Sequence, residues 1–182
     1  MEIGKTLYVH ERQAWREWLA KHHASEPEIW LVFYKKASSR PSLPYNDAVE
    51  EALCFGWIDS IVKKHGPESR AQRFSPRRRG SPWSEMNKAR VRRLAEQGQM
   101  TGAGLAAGVD FLGERYEVPA DILAAIEEDA AAWRNFQALP ESYVRIRVGW
   151  INAARVRPDV FDQRLRYFVK MTSQGKRFGM VQ

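Results

Sequence analysis

Residues 29–34 read Ile-Trp-Leu-Val-Phe-Tyr, and this stretch decides the fold prediction. Six consecutive β-prone apolar residues favour a strand that is covered on both faces. Before it, apolar residues recur at helical spacing over residues 10–23 and predict an amphipathic helix. After it, the Ser- and Pro-rich residues 35–44 predict a loop, and Asn46 is a candidate N-cap for a helix that ends before Gly56.

Two further extended segments follow at residues 57–63 and 71–75, and the turn-forming pair Gly66-Pro67 lies between them. This arrangement is typical of two antiparallel strands. Ser81-Pro82 then predicts a helix start, with Ser as the N-cap and Pro at the first helical position, and the helix runs to about Gln97.

The remainder of the chain has a helical pattern. Apolar residues recur every turn from Ile122 to Trp133 and predict one helix, and Pro140 and Pro158 separate it from two later helices. The predicted fold class is therefore α+β, a small antiparallel sheet with packed helices followed by a helical C-terminal portion.

The predicted organisation has three parts: an α+β core unit over residues 1–104, a connector over 105–118 and a helical portion over 119–182. The apolar stripes and strand faces also predict the core. The residues expected to be largely buried are Trp30, Phe33, Leu53, Phe55, Trp83, Leu94, Ile126 and Trp133.

Composition narrows the class of protein. In 182 residues, 44% are hydrophobic and 28% are charged, which excludes a disordered or fibrous chain. No stretch approaches the roughly 20 apolar residues of a membrane helix, and the N-terminal residues lack the apolar core of a signal peptide. A single cysteine and four histidines offer no zinc-binding spacing. We therefore expect a cytoplasmic protein without a membrane span, metal or cofactor.

The net charge of +7 is unevenly distributed along the chain. Residues 63–93 carry eleven basic and two acidic side chains, whereas residues 94–142 carry two basic and nine acidic ones. Residues 143–182 are basic again, with nine basic and two acidic side chains. A polyanionic partner would explain the basic block. The alternative is that the acidic residues between Glu114 and Asp129 fold back on it.

Four motifs carry a family resemblance: Cys54-Phe55-Gly56-Trp57-Ile58-Asp59, Gln72-Arg73-Phe74-Ser75-Pro76-Arg77-Arg78, Ser81-x-Trp83-Ser84-x-x-Asn87 and Gly98-x-Met100-x-x-x-Gly104. With these motifs, the Trp15-x-x-Trp18-Leu19 helix and the Trp150-Ile151 segment, the chain resembles the YdeI/OmpD-associated family, often labelled bacteriocin-protection proteins. The resemblance implies a role in bacteriocin tolerance and envelope stress. It implies no catalytic reaction and no cofactor.

The motif region also suggests a polar cluster. Asp59 and Arg73 would pair across an antiparallel ladder, and Trp83, Asn87 and Arg90 would share one stripe of the following helix. Buried polar groups need partners. These side chains therefore either lock the strand pair onto the helix or line a polar pocket, and the sequence leaves both readings open.

Residues Arg77-Arg78-Arg79-Gly80 lie just before a predicted helix N-terminus, and three guanidinium groups there favour an anion site. The aromatic neighbours Phe74 and Trp83 could stack a base. A solvated basic loop is the alternative. The candidate binding residues are Asp59, Arg73, Arg77, Arg78, Trp83, Asn87 and Arg90.

No catalytic constellation is visible in the sequence. Cys54 has apolar neighbours near a helix C-terminus and is interpreted as a core residue, and the adjacent acidic residues point to different helix faces. The leading hypothesis is a stress- or bacteriocin-protective accessory protein that binds an unknown protein or an anionic ligand. The alternatives are a nucleic-acid-binding module that uses residues 63–93, which we do not favour, and an enzyme that acts on an anionic small molecule.

Overall fold

A computed structural model describes residues 2–179 of the chain. The strands are β1 (Thr6–Leu7), β2 (Ile29–Tyr34), β3 (Trp57–Lys64) and β4 (Ser69–Pro76). The helices are α1 (Arg12–His22), α2 (Tyr45–Cys54), α3 (Glu85–Glu96), α4 (Gly102–Leu105), α5 (Ala120–Glu127), α6 (Ala130–Gln137), α7 (Glu141–Asn152) and α8 (Pro158–Ser173), with a 3₁₀ turn at Asp110–Gly113.

The strands form one sheet in the order β1-β2-β4-β3. β4 pairs antiparallel with both β2 and β3, and the two-residue strand β1 adds in parallel to β2. The sheet is therefore mixed and not wholly antiparallel as predicted, because β1 adds in parallel. The predicted α+β class with a helical C-terminal part is confirmed. The sequence did not indicate β1, because two residues carry no periodicity.

The described residues group into two compact units. The first comprises residues 2–82 and 90–110, and the second comprises residues 83–89 and 111–179. The first unit holds the whole sheet with α1 and α2. The second holds α5 to α8 around a core that includes Ile122, Ile126 and Phe168, each fully buried. The three-part division predicted from the sequence remains a prediction.

The core of the first unit lies between the sheet and its helices. Phe74 of β4 contacts Trp15 of α1 edge to face, with ring centroids 5.5 Å apart, and Trp15 Nε1 donates a 3.0 Å hydrogen bond to the Ala48 carbonyl of α2. Both aromatic side chains are fully buried. Cys54 is also buried, and burial raises the pKa of its thiol, as expected for a core residue.

Six of the eight side chains predicted to be largely buried are so. Trp83 and Trp133 are partly buried, so the prediction holds only in part for these two side chains. The Trp83 ring contacts Phe111 in an edge-type arrangement, and the Trp133 ring stacks on Phe136. A helical stripe indicates which side of a helix faces its core, but not how far the outermost ring extends to solvent.

Three predicted helix limits are also wrong. α2 begins at Tyr45 after Pro44, and Asn46 is not its N-cap. α3 begins at Glu85, because Ser84 accepts the first backbone hydrogen bonds through its hydroxyl and its carbonyl. The single helix predicted from Ile122 to Trp133 is two helices. Asp129 ends the first and caps the second, with its Oδ1 accepting from the Ala131 and Ala132 amides at 2.9 Å.

Candidate functional site

A groove of about 490 Å³ opens at the end of the sheet where β2 begins and β4 ends, within the first unit. Its polar lining consists of three guanidinium groups and three hydroxyls. These belong to Arg73, Arg77, Arg78, Ser60, Ser75 and Ser81. We call it the basic groove. It brings together three of the candidate binding residues, all of them from the motif at residues 72–78.

Arg73 is the fixed cation of the basic groove. It lies on the sheet face opposite Phe74, because alternate residues of a strand point to opposite faces. Its Nε donates to Glu28 Oε2 at 2.7 Å, and its Nη1 lies 3.3 Å from the hydroxyls of Ser60 and Ser75. Glu28 therefore offsets the charge of Arg73 and fixes its position.

Glu28 holds the Arg73 side chain in place, and the sequence did not indicate this role. Its carboxylate also accepts from Trp30 Nε1 at 3.0 Å. The hydrogen bond from Arg73, followed by that from Trp30, holds the pKa of Glu28 below its usual range. The available signal was the Glu-x-Trp spacing immediately before a strand, which places the carboxylate at the strand entry beside the neighbouring strand.

Arg77 closes the loop that follows β4. Its Nη2 donates to the Ser81 carbonyl at 2.6 Å and to the Pro82 carbonyl at 2.7 Å, while its backbone amide donates to the Gly56 carbonyl at 2.9 Å. Partial burial of the guanidinium lowers its pKa. These bonds tie residues 77–82 into a loop and explain why Ser81-Pro82 does not start α3.

Arg78 and Arg79 are the exposed cations of this loop. In the part of the chain that the structure describes, neither makes an ion pair or a side-chain hydrogen bond. Arg78 lines the basic groove, and Arg79 does not. Two adjacent exposed arginines therefore differ in whether they line the groove.

The predicted ion pair between Asp59 and Arg73 is wrong. Asp59 lies opposite Phe74 in the ladder, and an irregularity follows between Asp59 and Val62. This register places Asp59 on the same sheet face as Phe74 and Gln72, whereas Arg73 lies on the other face. The prediction failed because strand periodicity fixes the alternation of side chains within a strand but does not fix the register between strands.

Asp59 instead forms a polar cluster on the helix-facing side of the sheet. Its Oδ2 accepts from the Tyr45 hydroxyl at 2.7 Å and from Gln72 Nε2 at 3.0 Å. Burial and the neighbouring carboxylate raise the pKa of Tyr45 to about 12. Tyr45 therefore remains a neutral donor, and the cluster joins α2 to β3 and β4.

The remaining predicted site residues do not line the basic groove. Arg90 belongs to the first unit, where its Nη2 donates to Asn46 Oδ1 at 2.9 Å. Trp83 and Asn87 belong to the second unit, and Trp83 packs against Phe111. Their shared helical spacing does not bring these three side chains to the groove.

The basic block is also divided between several kinds of contact. Lys88 pairs with Glu85 at 3.1 Å and with Glu114 at 3.2 Å, all in the second unit. Arg93 pairs with the buried Glu50. Of the acidic stretch, Glu114 thus meets the basic block, whereas Asp121 pairs with Arg155 outside it.

Over residues 2–179 no three His, Cys, Asp or Glu side chains are placed to hold a metal ion. In the same part of the chain, no helix is both long and apolar enough to cross a bilayer.

Two protein-family models match different parts of the chain. A family model described as a domain of unknown function (DUF8412) matches residues 7–107, more than half of the chain. The chain belongs to this family. The range includes the whole of β2, β3 and β4, and with them every residue that lines the basic groove.

A second family model, described as bacteriocin-protection, YdeI or OmpD-associated, matches residues 115–175. This match confirms the family resemblance indicated by the sequence. Trp150-Ile151 lies inside the matched range, whereas all four motifs that carry the resemblance, between residues 54 and 104, lie in the DUF8412 range. No curated protein and no solved structure gives a significant match.

Proposed function

We propose that this chain is a stress- or bacteriocin-protective accessory protein that works by binding, and that the basic groove receives an anionic group of its ligand or partner. The description of the second family supports the protective role. The geometry of the basic groove supports the mode of action. A cytoplasmic location, expected from the single cysteine, is part of the same proposal.

The observation that carries this proposal is the contrast between Arg78 and the two other arginines of the groove. Glu28 holds Arg73 and two carbonyls hold Arg77, so both are positioned in advance. Arg78 has no carboxylate partner among the described residues. An anion that enters the groove would therefore meet one available guanidinium beside a preorganised wall.

The hydroxyls complete a donor set suited to phosphate, sulfate or carboxylate oxygens. Ser75 Oγ accepts from Arg73 Nη1 at 3.3 Å, which leaves its O–H to donate to a ligand. Arginine is well suited to such planar or tetrahedral anions because its guanidinium offers several donors in a fixed geometry.

Binding is favoured over catalysis because the lining of the groove supplies donors but no candidate base. None of its lining residues is a histidine, cysteine, aspartate or glutamate. The nearby Glu28 carboxylate is engaged by Arg73 and Trp30. Activation of a serine requires an adjacent base, so the hydroxyls here act as hydrogen-bonding groups.

Calorimetric titration with inorganic pyrophosphate at low salt tests this proposal. We expect saturable binding by the wild type and a loss of affinity of about tenfold or more in Arg78→Ala. Arg79→Ala is the matched control, since it removes another exposed arginine of the same loop that does not line the groove. Equal losses in both variants, or no binding by the wild type, would overturn the proposal.

A further inference from the structure

A second cavity, of about 370 Å³, lies at the opposite end of the same strand pair, where β2 ends and β4 begins. Aromatic and apolar side chains form most of its wall, and three cations join them. The lining includes Phe33, Leu43, Tyr34, Tyr45, Lys36 and Arg70. We call it the aromatic pocket. Its size and its mainly apolar wall are typical of sites for small organic molecules.

The apolar part of the aromatic pocket is built on rigid elements. Phe33 is 4% exposed and Leu43 is 2% exposed, so both are anchored in the core of the first unit. Phe33 belongs to β2, and Leu43 lies two residues before α2. A ligand body placed against them would be shielded from water by side chains that are already ordered.

Hydrogen bonds at the tips of the two tyrosine rings hold their orientation. The Tyr34 hydroxyl accepts from Arg40 Nη1 at 2.7 Å, and the Tyr45 hydroxyl donates to Asp59 Oδ2 at 2.7 Å. Because the pKa of Tyr45 is raised to about 12, this ring adds no negative charge to the pocket near neutral pH. The aromatic wall is therefore preformed and uncharged.

The charged part of the pocket is entirely positive. Arg70 lies over the ring of Phe33, with its Cζ 5.6 Å from the ring centroid, and Lys36 is exposed at the rim. Within residues 2–179, neither forms an ion pair or a side-chain hydrogen bond. Lys35 adds a third cation, with its Nζ 2.8 Å from the Pro67 carbonyl. Of the described residues, none that lines this pocket carries a carboxylate.

We propose that the aromatic pocket binds a small organic anion with an aromatic body, such as an aryl carboxylate or an aryl sulfonate. The aromatic body would pack on Phe33 and Leu43 between the tyrosine rings. The anionic group would face Arg70 and Lys36, which have no carboxylate partner among residues 2–179. This assignment does not depend on the proposal for the basic groove, because the two cavities have different lining residues.

Fluorescence titration with two naphthalene probes tests the assignment. One probe is 8-anilinonaphthalene-1-sulfonate, which carries a sulfonate, and the other is N-phenyl-1-naphthylamine, which has nearly the same body without the charge. We expect the sulfonate to bind the wild type saturably. Replacing both cations, in the double variant Arg70→Gln/Lys36→Gln, should weaken sulfonate binding about tenfold and leave the neutral probe nearly unchanged.

Two further variants locate the bound probe. Arg78→Gln removes a cation of the basic groove, and Arg79→Gln removes one that lines neither cavity; both should bind the sulfonate as the wild type does. A thermal melt shows whether each variant is folded, and all four exchanged side chains are exposed. Absence of saturable binding, a loss of similar size in Arg78→Gln, or no loss in the double variant would each overturn the assignment.

Discussion

Arg70 and Arg73 lie three residues apart on β4, yet their guanidinium groups have different partners at the two ends of the strand. At the basic groove, Arg73 donates to Glu28 and to two serine hydroxyls. At the aromatic pocket, Arg70 lies over Phe33 without a carboxylate partner among the described residues. The odd spacing places the two side chains on opposite faces of the sheet, so each meets a different set of neighbours.

Net charge along the sequence is therefore a poor guide to which basic side chains are free to bind a ligand. Residues 63–93 contain eleven basic side chains. Some of them, such as Arg73, Lys88 and Arg93, hold carboxylates, and Arg77 holds backbone carbonyls. Within this block, the cations expected to meet ligands are those that line a cavity and have no carboxylate partner among the described residues. These are Arg78 at one end of the strand pair and Arg70 at the other.

The largest expected effect is on stability at the two ends of β4. Arg73→Ala should lower the free energy of unfolding by about 2 kcal/mol, because it leaves the half-buried Glu28 carboxylate without its main donor. Arg70→Ala should change it by no more than about 0.5 kcal/mol, since an exposed surface side chain is removed. Urea denaturation of both variants measures the difference. Equal losses would contradict the comparison.

A smaller difference is expected within the loop of the basic groove. Arg77→Ala should lower the free energy of unfolding by about 1 kcal/mol, because the Ser81 and Pro82 carbonyls lose a charged donor but can still bind water. Arg78→Ala should be neutral within about 0.5 kcal/mol. Urea denaturation of the two variants measures this difference. A larger loss of unfolding free energy in Arg78→Ala than in Arg77→Ala would contradict the assigned roles.

The pH dependence of stability should report on Glu28. Its pKa in the folded protein is lowered by Arg73, so its stabilising contribution is fully present above the unfolded value of about 4.3 and is lost as the pH falls through the folded value. Glu28→Gln should therefore make the acid side of the stability profile shallower. Denaturation at several pH values below about 5 measures this slope. If Glu28→Gln left the slope unchanged, the ion pair between Glu28 and Arg73 would not be a source of the pH dependence of stability.

The smallest expected effect concerns nucleic acid. Because the basic block is divided among several contacts, we expect duplex DNA to bind at physiological salt no more tightly than it binds basic proteins in general. Filter binding at two salt concentrations measures this. If salt-dependent binding occurs, the double variant Arg78→Ala/Arg79→Ala should flatten the slope of log affinity against log salt by about 2. Tight binding with a slope near −5 would favour the nucleic-acid alternative.

Much of the fold could be predicted from local sequence patterns. The apolar run at residues 29–34 is the central strand β2, and the helical periodicity of residues 10–23 is α1. Helix limits were less predictable, because competing hydrogen bonds decide them. Ser81-Pro82 has the chemistry of a helix start, but its carbonyls are taken by Arg77, and Ser84 becomes the cap instead.

The candidate site was only partly predictable for a different reason. The loop arginines were visible as a charge run, whereas the partners of each arginine depend on strand register. Strand periodicity allows a register in which Asp59 and Arg73 share one face of the sheet. The observed register instead places them on opposite faces. Glu28 and Tyr45 are distant in sequence from the motifs they support, and no local pattern links them to Arg73 or Asp59.

The central claim is that the basic groove, and not the whole basic block, receives the anion. Amide chemical shifts of ¹⁵N-labelled wild-type protein, followed while inorganic pyrophosphate is added, test it most directly. We predict that the shifts concentrate at residues 75–81 and at Ser60, with little change at residues 35–45. Shifts spread evenly over residues 63–93, or concentrated around Arg70, would contradict the claim.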